Sequence, residues 1–142
     1  KELQIGTPLT ELMWRRREIE NYLCDPDVLL AYARHDQPGD LFGDREAARR
    51  QDLMSTLIAD LVPPVALRDR NHEWWSKTKV TDDFLDPLFA RYFNELVLPN
   101  VMRKTDYHEL ARLVPPARID PEIREKLDAI LAVAKRAKAA DA

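Results

Sequence analysis

Prolines divide this chain into short segments, and their positions limit the fold more than any other feature. Pro63-Pro64 and Pro115-Pro116 each follow a helical pattern. They should end it, because proline lacks a backbone N–H and disfavours the α-conformation in the residue before it. Asp25-Pro26 and Asp120-Pro121 instead place proline at the first helical position, directly behind a capping carboxylate. The chain should therefore form a series of short helices.

Between these prolines, apolar residues recur at intervals of three and four, which is typical of one helix face. The predicted helices cover residues 26–35, 44–62, 65–77, 106–114 and 120 to about 138. A further helix should end at Leu96. It begins at Thr81, as its N-cap, or at Leu85 or Asp86 if Pro87 shifts the start. We expect an all-α fold, an irregular helical domain of about five or six helices. A single domain should span 1–142, with helices over 25–139 and with 1–15 as an arm or short edge strand.

The composition excludes several classes of protein. The 142 residues are enough for one domain with a core, and no apolar run approaches the ~20 residues that span a bilayer. A single cysteine, Cys24, excludes an internal disulfide and indicates a reducing, cytoplasmic compartment. The formal net charge of −3 argues against nucleic-acid binding through the overall field and leaves room only for a local basic patch.

The most unusual stretch is the charged segment, residues 15–23, which reads Arg-Arg-Arg-Glu-Ile-Glu-Asn-Tyr-Leu. Carboxylates are hard oxygen ligands suited to Mg²⁺ or Mn²⁺, and the arginine fork fits phosphate. One interpretation is that Glu18 and Glu20 hold or orient metals while Arg15, Arg16 and Arg17 contact DNA. The other is a charged loop that joins its neighbours through ion pairs and helix caps.

The charged segment resembles part of the bacterial ATP-dependent nucleases of the overcoming-lysogenization-defect type, AAA-family ATP-binding proteins that join an ABC-like ATPase to a Toprim domain. Two further stretches are similar to the helical tail of that family, one around residues 75–86 and the other at 104–110. The resemblance touches residues 13 to about 130 and implies the C-terminal helical part of a nuclease that acts in DNA processing or phage defence.

The resemblance also implies roles for particular residues. Glu20, in preference to Glu18, would lie at the Mg²⁺ or Mn²⁺ site of the parent protein. A late basic residue, Lys77 or Lys79 with Lys104 as a competitor, would stand near the scissile phosphate, where a cation stabilises developing charge. The remaining DNA contacts are expected from Lys104 and the three arginines of the charged segment.

Several parts of such an enzyme are missing from the sequence. With Gly6, Gly39 and Gly43 as its three glycines, the chain has no Gly-rich loop followed by Lys-Ser/Thr to bind ATP phosphates. No acidic Toprim motif is evident, because a helix cap explains Asp25-Pro26-Asp27 better. ATP would bind an absent N-terminal ATPase domain, and an absent Toprim domain would complete the nuclease. This chain alone should bind no cofactor and should cut no DNA, and a homodimer is left open.

Two other functions compete with the nuclease. One is a helical protein–protein interaction module without a catalytic role, and the other is a helical DNA-binding domain, which the acidic pI disfavours. Trp74 and Trp75 could stack on exposed bases, but neighbours on a helix point about 100° apart. We therefore expect one tryptophan in the core and the other half-exposed.

Overall fold

The computed structural model describes residues 10–137, and within that range the chain is all-α, as predicted. No strand forms between residues 10 and 137, so residues 10–15 do not supply the edge strand considered for 1–15. Residues 1–9 of that arm lie outside the described residues. The chain divides into two compact units, one comprising Arg16–Ile119 and the other comprising the described parts of residues 1–15 and 120–142.

The larger unit contains five α-helices. They are α1 (Pro26–Arg34), α2 (Leu41–Leu61), α3 (Pro64–Arg68), α4 (Trp74–Lys77) and α5 (Asp86–Glu95). A π-helical turn, Thr81–Leu85, runs directly into α5, and 3₁₀ turns occupy Ile19–Tyr22, Tyr107–Leu113 and Pro116–Arg118. The smaller unit contains α6 (Pro121–Arg136). No helix within residues 10–137 is both long enough and apolar enough to cross a bilayer.

Aspartate carboxylates cap the starts of α1 and α2. The Asp25 carboxylate accepts a hydrogen bond from the Asp27 N–H at 2.8 Å, with proline at the first helical position, as predicted. Helix α2 starts three residues earlier than predicted, because the Asp40 carboxylate accepts from the Gly43 N–H at 2.7 Å. Gly43 suits this first turn, since a Cβ there would lie 1.8 Å from the Pro38 carbonyl oxygen.

Two predicted helices were wrong in detail. The continuous helix over 65–77 is interrupted between α3 and α4, where the Asp69 carboxylate accepts from the Asn71 N–H at 2.9 Å. Such local side-chain bonds compete with helical ones. The segment predicted as an α-helix over 106–114 is a 3₁₀ turn. No side chain caps its start, because the Asp106 carboxylate accepts from the Arg103 N–H at 3.1 Å.

The start of α5 follows the alternative that Pro87 suggested. Proline cannot donate a hydrogen bond to the preceding turn. The regular α-helix accordingly begins at Asp86, and Thr81 lies inside the wider π turn rather than acting as its N-cap. The π turn and α5 together present one nearly continuous buried face.

One apolar core holds the larger unit together. It joins α1, α2, the π turn, α5 and the 3₁₀ turn at 107–113, and its largest fully buried side chains include Leu29, Met54, Phe84, Phe89, Tyr92 and Tyr107. Trp75 is 4% exposed and donates its indole N–H to the Ala66 carbonyl at 2.8 Å, whereas Trp74 is partly buried. One tryptophan therefore belongs to the core, as predicted, and because their rings lie 88° apart they form no shared stacking platform.

Helix α6 begins as the sequence indicated, with the Asp120 carboxylate accepting from the Glu122 N–H at 2.9 Å. Glu122 is 2% exposed and accepts from the Arg15 N–H at 2.8 Å. Leu127, Ile130 and Leu131 are each more than half exposed.

Candidate functional site

Asn21 fixes the charged segment against the end of α4. Its side chain is 2% exposed, and its amide nitrogen donates to the carbonyls of Trp75 at 2.9 Å and Thr78 at 3.1 Å. Its amide oxygen accepts from the Glu18 N–H at 2.8 Å. Both ends of the amide are thus used, so the middle of the charged segment is a fixed part of the fold.

Glu18 has a structural partner. Its carboxylate accepts from the Thr81 N–H at 2.9 Å, at the first residue of the π turn. The first N–H groups of a helix lack partners within it, and an acceptor from elsewhere in the chain satisfies one of them. This contact fits the interpretation in which the charged segment is a loop that joins neighbouring elements through helix caps.

Glu20 differs from Glu18 in this respect. Its backbone carbonyl accepts from the Leu23 and Cys24 N–H groups at 2.9 and 3.0 Å. Its carboxylate, in contrast, has no hydrogen bond or ion pair with any residue between 10 and 137. Of the two predicted metal-site glutamates, Glu20 is therefore the one whose side chain the fold does not use.

The three arginines have different surroundings. Arg15 pairs with Glu125 at 2.6 Å within the smaller unit. Arg16 donates to the Asn21 carbonyl at 2.8 Å, and its guanidinium lies 5.0 Å from the Tyr22 ring centroid. Arg17 is exposed and shows no side-chain pairing among the described residues. Of these three arginines, Arg17 alone presents a guanidinium with no partner among residues 10–137.

Lys79 and Lys104 come together in the structure. Both form ion pairs with the Asp82 carboxylate, although Lys79 precedes the π turn and Lys104 follows α5. Lys104 also lies 3.9 Å from Asp86. Lys77 instead pairs with Glu73 at 2.6 Å on α4. The structure thus brings together two of the three candidate lysines, which we call the lysine pair.

The arrangement of the lysine pair and its neighbours shifts the pKa values of three side chains. Hydrogen bonds from Lys104 and Lys79 lower the pKa of Asp82 to about 2, and the bond to Asp82 raises the pKa of Lys104. The Tyr107 hydroxyl donates to the Asp86 carboxylate at 2.5 Å. Burial, followed by that hydrogen bond, raises the pKa of Tyr107. The two lysines therefore share one carboxylate.

This geometry has a definite chemical capacity. Two ammonium groups held at one point can bind a phosphate oxygen in place of the carboxylate. A metal site is different, since no group of three or more His, Cys, Asp or Glu side chains within residues 10–137 is arranged to hold an ion. The metal role of Glu20 therefore stays a prediction, one that requires ligands from outside these residues.

Sequence reasoning missed Asp82, Asp86, Tyr107 and Asn21 as parts of this region. Asp82 stands three positions after Lys79, a spacing at which opposite charges pair on a helix, so one contact was predictable. The link to Lys104 spans 22 residues of chain and had no local signal. No protein-family model, curated protein or solved structure significantly matches this chain.

Proposed function

We propose that this chain is the C-terminal helical part of an ATP-dependent Toprim nuclease, and that its lysine pair contacts a phosphate of the DNA substrate. The observation that carries the proposal is the convergence of Lys79 and Lys104 on Asp82. Phosphoryl chemistry depends on cations positioned where negative charge develops. Two lysines from separate elements, held at one point, provide such a position.

Exchange of Asp82 for phosphate is energetically reasonable. The ion pairs lie at the surface, with Lys79 and Lys104 about half exposed. Exposed ion pairs of this kind contribute little to stability, because solvent screens them. A phosphodiester can therefore displace the carboxylate at small cost, and Asp82 keeps the two ammonium groups close together while DNA is absent.

Glu20 has a complementary role in this proposal. Its carboxylate is free of partners among the described residues and can join carboxylates of a Toprim domain around Mg²⁺ or Mn²⁺. ATP binding belongs to the ATPase domain of the longer protein. The isolated chain should consequently bind DNA weakly and in a salt-dependent manner, without cleaving DNA or hydrolysing ATP.

DNA binding by the isolated chain tests the lysine pair. Lys79→Ala and Lys104→Ala should each weaken binding of a labelled oligonucleotide at low salt by about fivefold, measured by fluorescence anisotropy. Lys77→Ala is the matched control, because it removes the same charge from a lysine that pairs with Glu73. Equal losses in all three variants would show that only net charge matters.

The bridging carboxylate gives a test of the opposite sign. Asp82→Asn should free both ammonium groups and tighten DNA binding more than Asp83→Asn does. Asp83 is an exposed neighbour whose loss changes the net charge identically. If the two variants bind equally well, displacement of Asp82 by phosphate is excluded.

The longer protein tests the nuclease assignment. Its upstream sequence should contain a phosphate-binding loop and acidic Toprim motifs, and absence of both would end this proposal. In that protein, Glu20→Gln should reduce Mn²⁺-dependent cleavage and leave the melting temperature unchanged. Glu18→Gln should lower the melting temperature, because it weakens the contact with the Thr81 N–H. Normal cleavage by Glu20→Gln would contradict the metal role.

A helical protein–protein interaction module is the second candidate function. The exposed apolar face of α6 favours it, because exposed large apolar side chains that share one face commonly mark association surfaces. Salt-insensitive association without any DNA binding would support this alternative over the nuclease. The two functions are compatible in one chain, since α6 and the lysine pair involve different residues.

A further inference from the structure

Asp86 contacts two residues that lie close together in sequence. Its Oδ1 accepts from the Tyr107 hydroxyl at 2.5 Å, and its Oδ2 lies 3.9 Å from the Lys104 Nζ. Lys104 belongs to the turn that leads into the 3₁₀ segment 107–113, three positions before Tyr107. One carboxylate therefore joins a hydroxyl of the core to a member of the lysine pair.

Tyr107 holds this carboxylate in a fixed position. Its side chain is 1% exposed, and its ring stacks on that of Phe89 with the centroids 5.7 Å apart. The turn before it is closed by a hydrogen bond from the Asp106 N–H to the Arg103 carbonyl at 2.7 Å. A buried hydroxyl requires a polar partner, and Asp86 supplies it.

The two lysines of the pair differ in what holds them. Among residues 10–137, Lys79 has no ion pair other than that with Asp82. Lys104 bonds the same carboxylate and also faces Asp86. Loss of the Asp82 contact would leave the Lys79 side chain without an ionic partner, whereas the ammonium group of Lys104 would keep a second carboxylate beside it.

We propose that Asp86, held by Tyr107, is a positioning residue that keeps the Lys104 ammonium group in place when a phosphate displaces Asp82, a role that rests on the proposed function. A long side chain loses conformational entropy when binding orders it, so an ammonium group that is already restrained binds at smaller cost. Lys104 is then the fixed half of the site, and Lys79 is the half that adjusts to the position of the phosphate.

Side-chain relaxation of the lysines, measured by NMR without DNA, tests the restraint. Asp82→Ala removes both oxygens that the pair shares, and in this variant the Cε of Lys104 should remain more ordered than that of Lys79. Tyr107→Phe in the same background changes no charge and frees the Asp86 carboxylate, so the greater order of Lys104 should be lost. Asp86→Ala should have the same effect. If the two lysines are equally ordered before Tyr107 is replaced, or if Lys104 keeps its order afterwards, the inference is overturned.

DNA binding tests whether this restraint matters for phosphate. Tyr107→Phe should weaken binding of a labelled oligonucleotide by about threefold in the wild-type chain, and it should have no effect in a chain that carries Lys104→Ala. Tyr92→Phe is the matched control and should leave binding unchanged, because it removes another buried hydroxyl, one that interacts with Arg50 instead.

The outcomes separate this role from the proposed function. Equal weakening by Tyr107→Phe with and without Lys104 would show a general loss of structure and overturn the inference. Absence of DNA binding by the wild-type chain would refute the proposed function instead, and the relaxation of the lysines would still decide whether Asp86 restrains Lys104.

Discussion

Val97 occupies a backbone conformation that favours glycine. Its φ is +56°, and it follows the last residues of α5. The Val97 N–H donates to Asn94 and the Leu98 N–H donates to Phe93, both at 3.0 Å, which is the bonding pattern of a Schellman C-cap. Glycine is usual at this position, because a Cβ, and a branched one above all, is strained there.

Replacement of Val97 by glycine should therefore stabilise the protein. Relief of the left-handed strain should raise the free energy of unfolding by about 1–2 kcal/mol. The greater conformational entropy of the unfolded chain should lower it by about 0.4–1 kcal/mol. Val97 is 89% exposed, so little burial is lost. The net gain in free energy of unfolding should be about 0.8 kcal/mol and at most about 1.6 kcal/mol, which corresponds to a rise of about 2–6 °C in melting temperature for the central value.

Urea unfolding followed by tryptophan fluorescence measures this gain, because Trp75 is buried in the native state. Val101→Gly is the matched control. Val101 is 63% exposed and does not have a positive φ, so its replacement should destabilise the protein slightly. If Val97→Gly leaves the midpoint unchanged, or if both variants shift it in the same direction, the strain argument is refuted.

Three further predictions concern stability. Gly43→Ala should lower the free energy of unfolding by about 1–3 kcal/mol in urea titrations, because its methyl group meets the Pro38 carbonyl oxygen; unchanged stability would mean that the first turn of α2 yields easily. Asn21→Asp replaces both N–H donors of the amide with an oxygen that faces two carbonyls. It should lower the free energy of unfolding by about 2–4 kcal/mol near pH 7 in the same titrations. A loss under about 1 kcal/mol would contradict the role of Asn21. The pKa of Asp82 is lower folded than unfolded, so its ion pairs stabilise the protein above about pH 4 and lose their effect as the pH falls towards 2. Thermal melts should show that Asp82→Asn has a flatter pH dependence in this range, and an unchanged slope would exclude the lysine contacts as its source.

Local chemistry determined which parts of the fold could be predicted. Asp25-Pro26 and Asp120-Pro121 start helices within a few residues, and the structure confirms both starts. The interruption between α3 and α4 was not predicted, because the apolar pattern is continuous there. The hydrogen bond from the Asn71 N–H to the Asp69 carboxylate competes with the helical bonds of that turn. The 3₁₀ form of 107–113 was not predicted either, and the burial of Tyr107 in the core is a long-range contact that no local pattern reveals.

The candidate site was predictable only in part, for a related reason. The resemblance offered Lys77, Lys79 and Lys104 as alternatives, but the carboxylate that Lys79 and Lys104 share depends on how the chain folds around α5. Residue chemistry does not distinguish Glu18 from Glu20, and the preference for Glu20 came from the resemblance alone. The Thr81 N–H distinguishes them in the structure, because it bonds Glu18 alone. Contacts across more than sixty residues cannot be read from spacing.

The contacts of Asn21 also affect the order in which the chain can fold during synthesis. The two carbonyls that its amide binds lie 54 and 57 residues further along the chain, so they leave the ribosome much later. Until they emerge, the nascent charged segment lacks the partners that hold it in its native path. The charged segment can therefore become a fixed part of the fold only after Thr78 has been synthesised.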